Sequence, residues 1–242
     1  MSTTFERLLA VLGVRSPAQW AGPMLTACQT HEINTPLRIA AFLANVLHET
    51  SNLAALVESL NYTPAALSAT WPSRFPAADA QRMGRTAQHP ADQRAIAERA
   101  YGGRLGNGPE GAGDGYLFRG AGPMQTTGRA NFTAFGKTIA WTRPVEELPA
   151  YVVTVQGGVD SAAMFFKTAG CLPVADRGDI AAVRKIVNGG TIGLADVHKR
   201  YPVILAVLHN AQRVVAPQPV PEPVITADDL NAQELDRIRS AA

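Results

Sequence analysis

The sequence predicts a mainly α fold with minimal β structure, and three observations carry that expectation. Apolar residues recur at three- and four-residue spacings over most of the chain. Threonine–proline pairs stand where helices should begin, at Thr35-Pro36 and Thr63-Pro64. Strand-like runs are short and confined to residues 56–61 and 116–119. In order, the first cap opens a helix running to Thr50 whose broad apolar face holds Ile39, Phe42, Leu43, Val46 and Leu47. The second opens a shorter helix ending near Trp71. Helical periodicity returns over residues 90–100, 127–138, 159–169, 179–187 and 194–214.

Two segments break the pattern. Residues 101–122 are rich in glycine, which tolerates positive φ and lets backbone approach a neighbour closely. A loop this long inside a compact domain is usually functional or disordered. It lacks the GxxxxGK[ST] phosphate cradle and reads instead as the wall of a polar substrate groove. Beyond it, prolines 217, 219, 221 and 223 alternate with other residues, favouring an extended spacer. The expected organisation is a domain over residues 1–215, a proline-rich linker over 216–225 and a short helical tail over 226–242, capped by Thr226.

Composition narrows the function. With 242 residues, 46% of them hydrophobic, the chain can bury a core without disulfides. Cys28 and Cys171 are far apart and outside any CxxC pair, so buried reduced thiols are expected. No apolar run approaches the ~20 residues of a membrane span, and no membrane anchor is expected. The first sixteen residues do not read as a leader, so the chain is expected to be held at first in a cytoplasm. Net charge is +2, divided as +5 over residues 1–216 and −3 beyond. That field suits an anionic polymer weakly, and four lysines without a basic cluster do not suggest nucleic acid.

The chemistry-bearing residues begin at His48-Glu49. A zinc peptidase needs HExxH, but Asn52 occupies the second ligand position, and no metal is expected. Glu49, beside Val46 and Leu47 at a helix C-terminus, sits where apolar surroundings and the helix dipole both favour a protonated carboxyl. Glu58, nine residues on in a more polar run, should stay ionised. Two carboxylates with diverging environments suit acid–base cleavage of a glycosidic bond, although two glutamates at this spacing are commonplace.

Ordered blocks sharpen this. Residues 42–50 (FLANVLHET), 58–62 (ESLNY), 113–131 (GDGYLFRGAGPMQTTGRAN), 160–166 (DSAAMFF), 175–179 (ADRGD) and 187–190 (VNGG) together resemble the family 19 glycoside hydrolases. In style they resemble bacteriophage endolysins and prophage lysis enzymes more than disulfide-bearing plant chitinases. The resemblance implies a lysozyme-like, two-lobed helical domain with a central cleft, and cofactor-free inverting hydrolysis of β-1,4-linked amino sugars. By position, Glu49 matches the general acid, Glu58 the general base and Thr127 a residue that helps hold the attacking water. Gln125, Asn131 and Asn188 match substrate-contacting amides. Tyr101, Tyr116 and Phe118 are expected to offer faces to sugars, and Arg119 to assist.

Four places depart from the family pattern. Ala121 and Val197 stand where arginines are usual, Met164 replaces a common tryptophan, and Thr191-Ile192-Gly193 replaces an Asn-Gly pair. Arg119, Arg129 and Arg200 are the candidates to compensate. The expected function is a monomeric endolysin acting on peptidoglycan strands, released from the bacterial cytoplasm to reach the wall in the periplasm. A chitinase, a non-catalytic wall-binding descendant and a wall amidase or peptidase are the alternatives.

Overall fold

The computed structural model describes residues 2–215. Met1–His209 form one compact unit; of the second, Asn210–Ala242, only the last residues of a helix are described, so the expected linker and tail lie outside the described residues. The mainly α expectation holds, and among the described residues there is no strand.

The N-terminal helices are α1 (Ser2–Val11), α2 (Pro17–Thr30) and α3 (Pro36–Glu49). Thr35 starts α3 as the sequence indicates, its Oγ1 accepting from the Arg38 N–H at 3.2 Å. Every residue of α3 from Ala40 to Leu47 is buried, so the helix is fixed almost all round. Next come α4 (Pro64–Thr70), capped by Thr63, then α5 (Ala77–Met83) and α6 (Gln93–Tyr101), capped by Asp92. A single turn, α7 (Asp114–Leu117), is followed by α8 (Arg129–Thr138), α9 (Leu148–Val152) and α10 (Val155–Thr168). The C-terminal set is α11 (Cys171–Ala175), α12 (Ile180–Asn188) and α13 (Leu194–Val215).

The apolar interior is divided. The largest cluster gathers α1, α2, α3 and α10 through α13; Phe42 meets Phe166 edge-on there at 5.4 Å, and Cys28 and Cys171 are buried in it. Burial pushes both thiols up to about 12, which leaves them inert at neutral pH. A second cluster joins α4, α5 and α6 around Leu60, Leu67 and Phe75. A third joins Phe118 and Ala121 to α8 and α9.

Both strand expectations need correction. Residues 56–58 lie beside residues 120–122 through hydrogen bonds from Glu58 N to the Gly120 carbonyl and from Gly122 N to the Leu56 carbonyl, each 2.8 Å. The pairing stops at one bridge, Val57 to Ala121, because Ala121 turns back to pair with Thr126. Tyr116 and Leu117 belong to the helical turn α7, set by backbone donation into Glu98 rather than by a partner strand.

Between α3 and residue 58 the chain folds back through Ser51, Asn52 and Leu53, all with positive φ. Three consecutive non-glycine residues in the left-handed region are costly and persist only where surroundings impose them. Here Thr50 Oγ1 accepts from Leu53 N at 2.8 Å, Asn52 N donates to the Leu47 carbonyl at 2.8 Å, and Arg200 Nη1 donates to Asn52 Oδ1 at 2.7 Å.

Candidate active site

Glu49 is the last residue of α3 and is 23% exposed. The sequence places it in an apolar setting, but the structure brings a charge to it. Arg184 of α12, only 1% exposed, donates from Nη1 to Glu49 Oε1 at 2.5 Å and to Asn45 Oδ1 at 3.2 Å; its Nε donates to the Ile192 carbonyl at 2.7 Å. A guanidinium only donates, so it holds Oε1 as an acceptor and leaves Oε2 to other partners. Among the described residues, that oxygen takes part in no hydrogen bond. Sequence reasoning missed Arg184. Its signal was there: Ile180, Val183 and Val187 mark the inward stripe of α12, and Arg184 falls on that stripe, where a charge demands a buried partner.

None of the three expected substitutes for the missing arginines reaches Glu49. Arg119 donates to the Tyr116 carbonyl and lies over the Tyr116 ring at 4.0 Å. Arg129 makes a two-point pair with Asp114 and bonds Glu146. Arg200 bonds Asp196 and Asn52. Burial acts to raise the Asp196 carboxyl, but hydrogen bonds from Arg200 and His48 outweigh it and hold it below the usual range. His48 thus ties α3 to α13 and packs on Gly193, where a Cβ would lie 1.9 Å from its ring.

Glu58 is held differently. Tyr101 Oη donates to its Oε1 at 2.7 Å and Gly120 N to its Oε2 at 3.0 Å. Burial, with the Glu58 acceptor second, pushes the Tyr101 phenol far above its usual range, so it stays a donor. Burial and then the Glu58 charge raise Tyr62 as well. Gly120 has a steric reason: a Cβ there would stand 2.8 Å from Gln125 Oε1 and 3.1 Å from Glu58 Cβ. Glu58 and Gln125 therefore share the space over one glycine.

A cavity of about 550 Å³ lies beside Gln125, lined also by Thr127 and Asn131. These three form a local chain: Gln125 Nε2 donates to the Gly122 carbonyl, Thr127 Oγ1 to the Gln125 carbonyl at 2.9 Å, and Asn131 Nδ2 to the Thr127 carbonyl at 2.7 Å. Glu49, Glu58 and Asn188 are not in its lining; Asn188 is exposed at the end of α12, four residues after Arg184.

The aromatic expectations change. Phe118 is fully buried between Phe132 and the Arg129 guanidinium and has no face for a sugar. Arg119 covers one face of Tyr116, and Arg94 sits 5.8 Å from the same ring. Tyr101 packs edge-on against Trp71 and serves Glu58 through its hydroxyl. Ala121 is buried in the third cluster, where an arginine would have no room.

The glycine-rich segment winds around internal acceptors. The buried Glu98 carboxylate accepts from Gly111 N, Gly113 N and Tyr116 N, and Asp114 accepts from Gly108 N. Of this segment, Leu105 reaches the cavity, exposed and with positive φ.

No family model matches the chain. Among curated proteins, it is similar to a glycosyl hydrolase family 19 domain-containing protein of Haemophilus influenzae, 32% identical over 166 residues, which take in 69% of this chain and 78% of the relative. Identity at that level across most of both chains, in a helical fold of the kind the sequence blocks imply, makes this protein a member of glycosyl hydrolase family 19.

Proposed function

We propose that this glycoside hydrolase is an endolysin that cleaves β-1,4 bonds in the glycan strands of bacterial peptidoglycan with inversion. Glu49 is the general acid and Glu58 the general base. One observation carries the assignment: Glu58 is oriented by two neutral donors, the Tyr101 hydroxyl and Gly120 N, over a glycine whose space it shares with Gln125, while Glu49 keeps one oxygen unbonded at a half-open helix end.

In the proposed reaction, Glu49 delivers the proton on Oε2 to the leaving glycosidic oxygen as the C–O bond breaks. Glu58 takes a proton from a water that attacks the opposite face of the sugar. Carboxylate oxygens have lone pairs beyond those used by Tyr101 and Gly120, so Glu58 can still accept from that water. Inversion requires the two carboxyl groups to stand about 6.5–9.5 Å apart. Thr127, its proton given to the Gln125 carbonyl, offers lone pairs that help fix the water, and Asn131 and Asn188 contact the glycan.

The charge of +5 over residues 1–216 favours an anionic wall over neutral chitin. In this reading the enzyme works as a monomer in the periplasm after release from the host cytoplasm. The test is clearing of outer-membrane-permeabilised cells, with mass analysis of the fragments. Wild type should clear the suspension and leave new reducing ends, and Glu49→Gln should do neither. New free amino groups without reducing ends would identify a peptidase or amidase. Binding without cleavage would identify a non-catalytic descendant.

A further inference from the structure

The cavity beside Gln125 extends well beyond the residues that contact a glycan backbone. It runs between α8 and α10, with Phe135, Met164 and Phe165 as apolar wall and Leu105 and Met124 at other edges. About 550 Å³ falls in the range of pockets that enclose a whole small molecule, far more than one acetyl group needs. No ionisable side chain lines it.

Its polar groups are biased toward one role. Five hydroxyls line it, and four have spent their protons on backbone carbonyls: Thr127 on Gln125, Thr138 on Phe135, Ser161 on Gly158 and Thr168 on Met164. Each of the four therefore presents lone pairs only. The amides of Gln125 and Asn131 each spend one N–H on a carbonyl and keep the other N–H and the oxygen free. An acceptor-rich, uncharged and otherwise apolar pocket suits a neutral group with N–H donors and small apolar substituents. It disfavours a carboxylate, which would meet no cation and, beside the Thr126 hydroxyl and one remaining N–H on each amide, mostly lone pairs.

We infer that this pocket receives the amide-linked branch that alternate sugars of a peptidoglycan strand carry on their lactyl group, so that the enzyme reads the branch as well as the sugars. This rests on the peptidoglycan reading above. The lactyl and first alanyl methyl groups lie on the apolar wall, and the amide N–H groups donate to the threonine oxygens. Gln125 links the pocket to the reaction, because its oxygen shares the space over Gly120 with Glu58. A strand stripped of its peptides bears a free lactyl carboxylate at the same point, which is the group the pocket disfavours.

The experiment compares kcat/KM on peptide-bearing strands, on strands stripped by an amidase and on chito-oligosaccharides. Wild type should favour peptide-bearing over stripped strands by about tenfold or more. Met164→Trp, which fills the pocket, should bring that ratio to within about twofold of unity. Thr138→Val and Thr168→Val, at exposed helix positions, each remove one acceptor and should lower the ratio about threefold even if the tryptophan variant does not fold. Equal rates on both strands in wild type, or a ratio that all three variants preserve, would overturn the pocket assignment alone. Cleavage of chito-oligosaccharides with no cleavage of either strand would instead overturn the peptidoglycan reading beneath it.

Discussion

The surroundings of Glu49 and Glu58 are built on opposite plans. Glu49 stands on a helix locked into the main core and is gripped by a buried cation. Glu58 stands on an irregular segment outside that core and is oriented by a phenol and a backbone amide, both neutral. A charged partner fixes one oxygen of Glu49 and leaves the other unbonded. Neutral donors touch both oxygens of Glu58 and set the orientation of its carboxyl group. The pair is thus differentiated by what donates to each residue, more than by how deeply each is buried.

The sharpest test of that contrast replaces the carboxylates themselves. Glu49→Gln and Glu58→Gln should each lower kcat by about a thousandfold with unchanged far-UV circular dichroism, since general acid and base each contribute 10²–10⁴-fold. A Glu58→Gln enzyme near wild-type rate would mean that another group activates the water. Arg184→Met comes next. It leaves Glu49 without its cation and the buried Asn45 oxygen without a donor, so denaturant unfolding should show a loss of about 3–5 kcal/mol. Tyr101→Phe should be milder, lowering kcat about tenfold with KM nearly unchanged and costing about 1 kcal/mol of stability. A change in KM alone would mean that Tyr101 binds sugar and does not orient Glu58.

The smallest effect concerns the glycine-rich segment and depends on pH. Hydrogen bonding from Arg129, stronger than the opposing burial, holds Asp114 below the usual aspartate range. A depressed carboxylate contributes stability that is complete above its unfolded value of about 3.9 and fades as pH falls through the lower folded value. Asp114→Asn should therefore destabilise the protein near neutrality, and the gap from wild type should close in acid melts below pH 4.

Much of the main core was legible. Thr35-Pro36 announced α3, Thr63-Pro64 announced α4, and the start of α13 agrees with its periodicity. Those signals are local. What escaped was set by contacts distant in sequence. Residues 116–119 resemble a strand by composition, but the Glu98 carboxylate, eighteen residues before Tyr116, pulls the segment into a turn. Phe118 reads as a sugar platform until Arg129 and Phe132 enclose it. Arg184 lies 135 residues from Glu49, and only a charge on an apolar stripe hinted that it had a partner. At the candidate site, the family resemblance singles out Gln125, Thr127, Asn131 and Asn188 by position; the first three line one cavity and Asn188 does not.

The left-handed stretch Ser51–Asn52–Leu53 gives the two carboxylates a ruler with little slack. Wound against its own preference and pinned at Asn52 by a side chain from α13, it cannot absorb an extra residue by loosening, as an ordinary loop would. A single insertion between positions 50 and 57 should be felt as a change of reach between the two carboxylates proposed to react, which makes Arg200, far along the chain, a keeper of their separation.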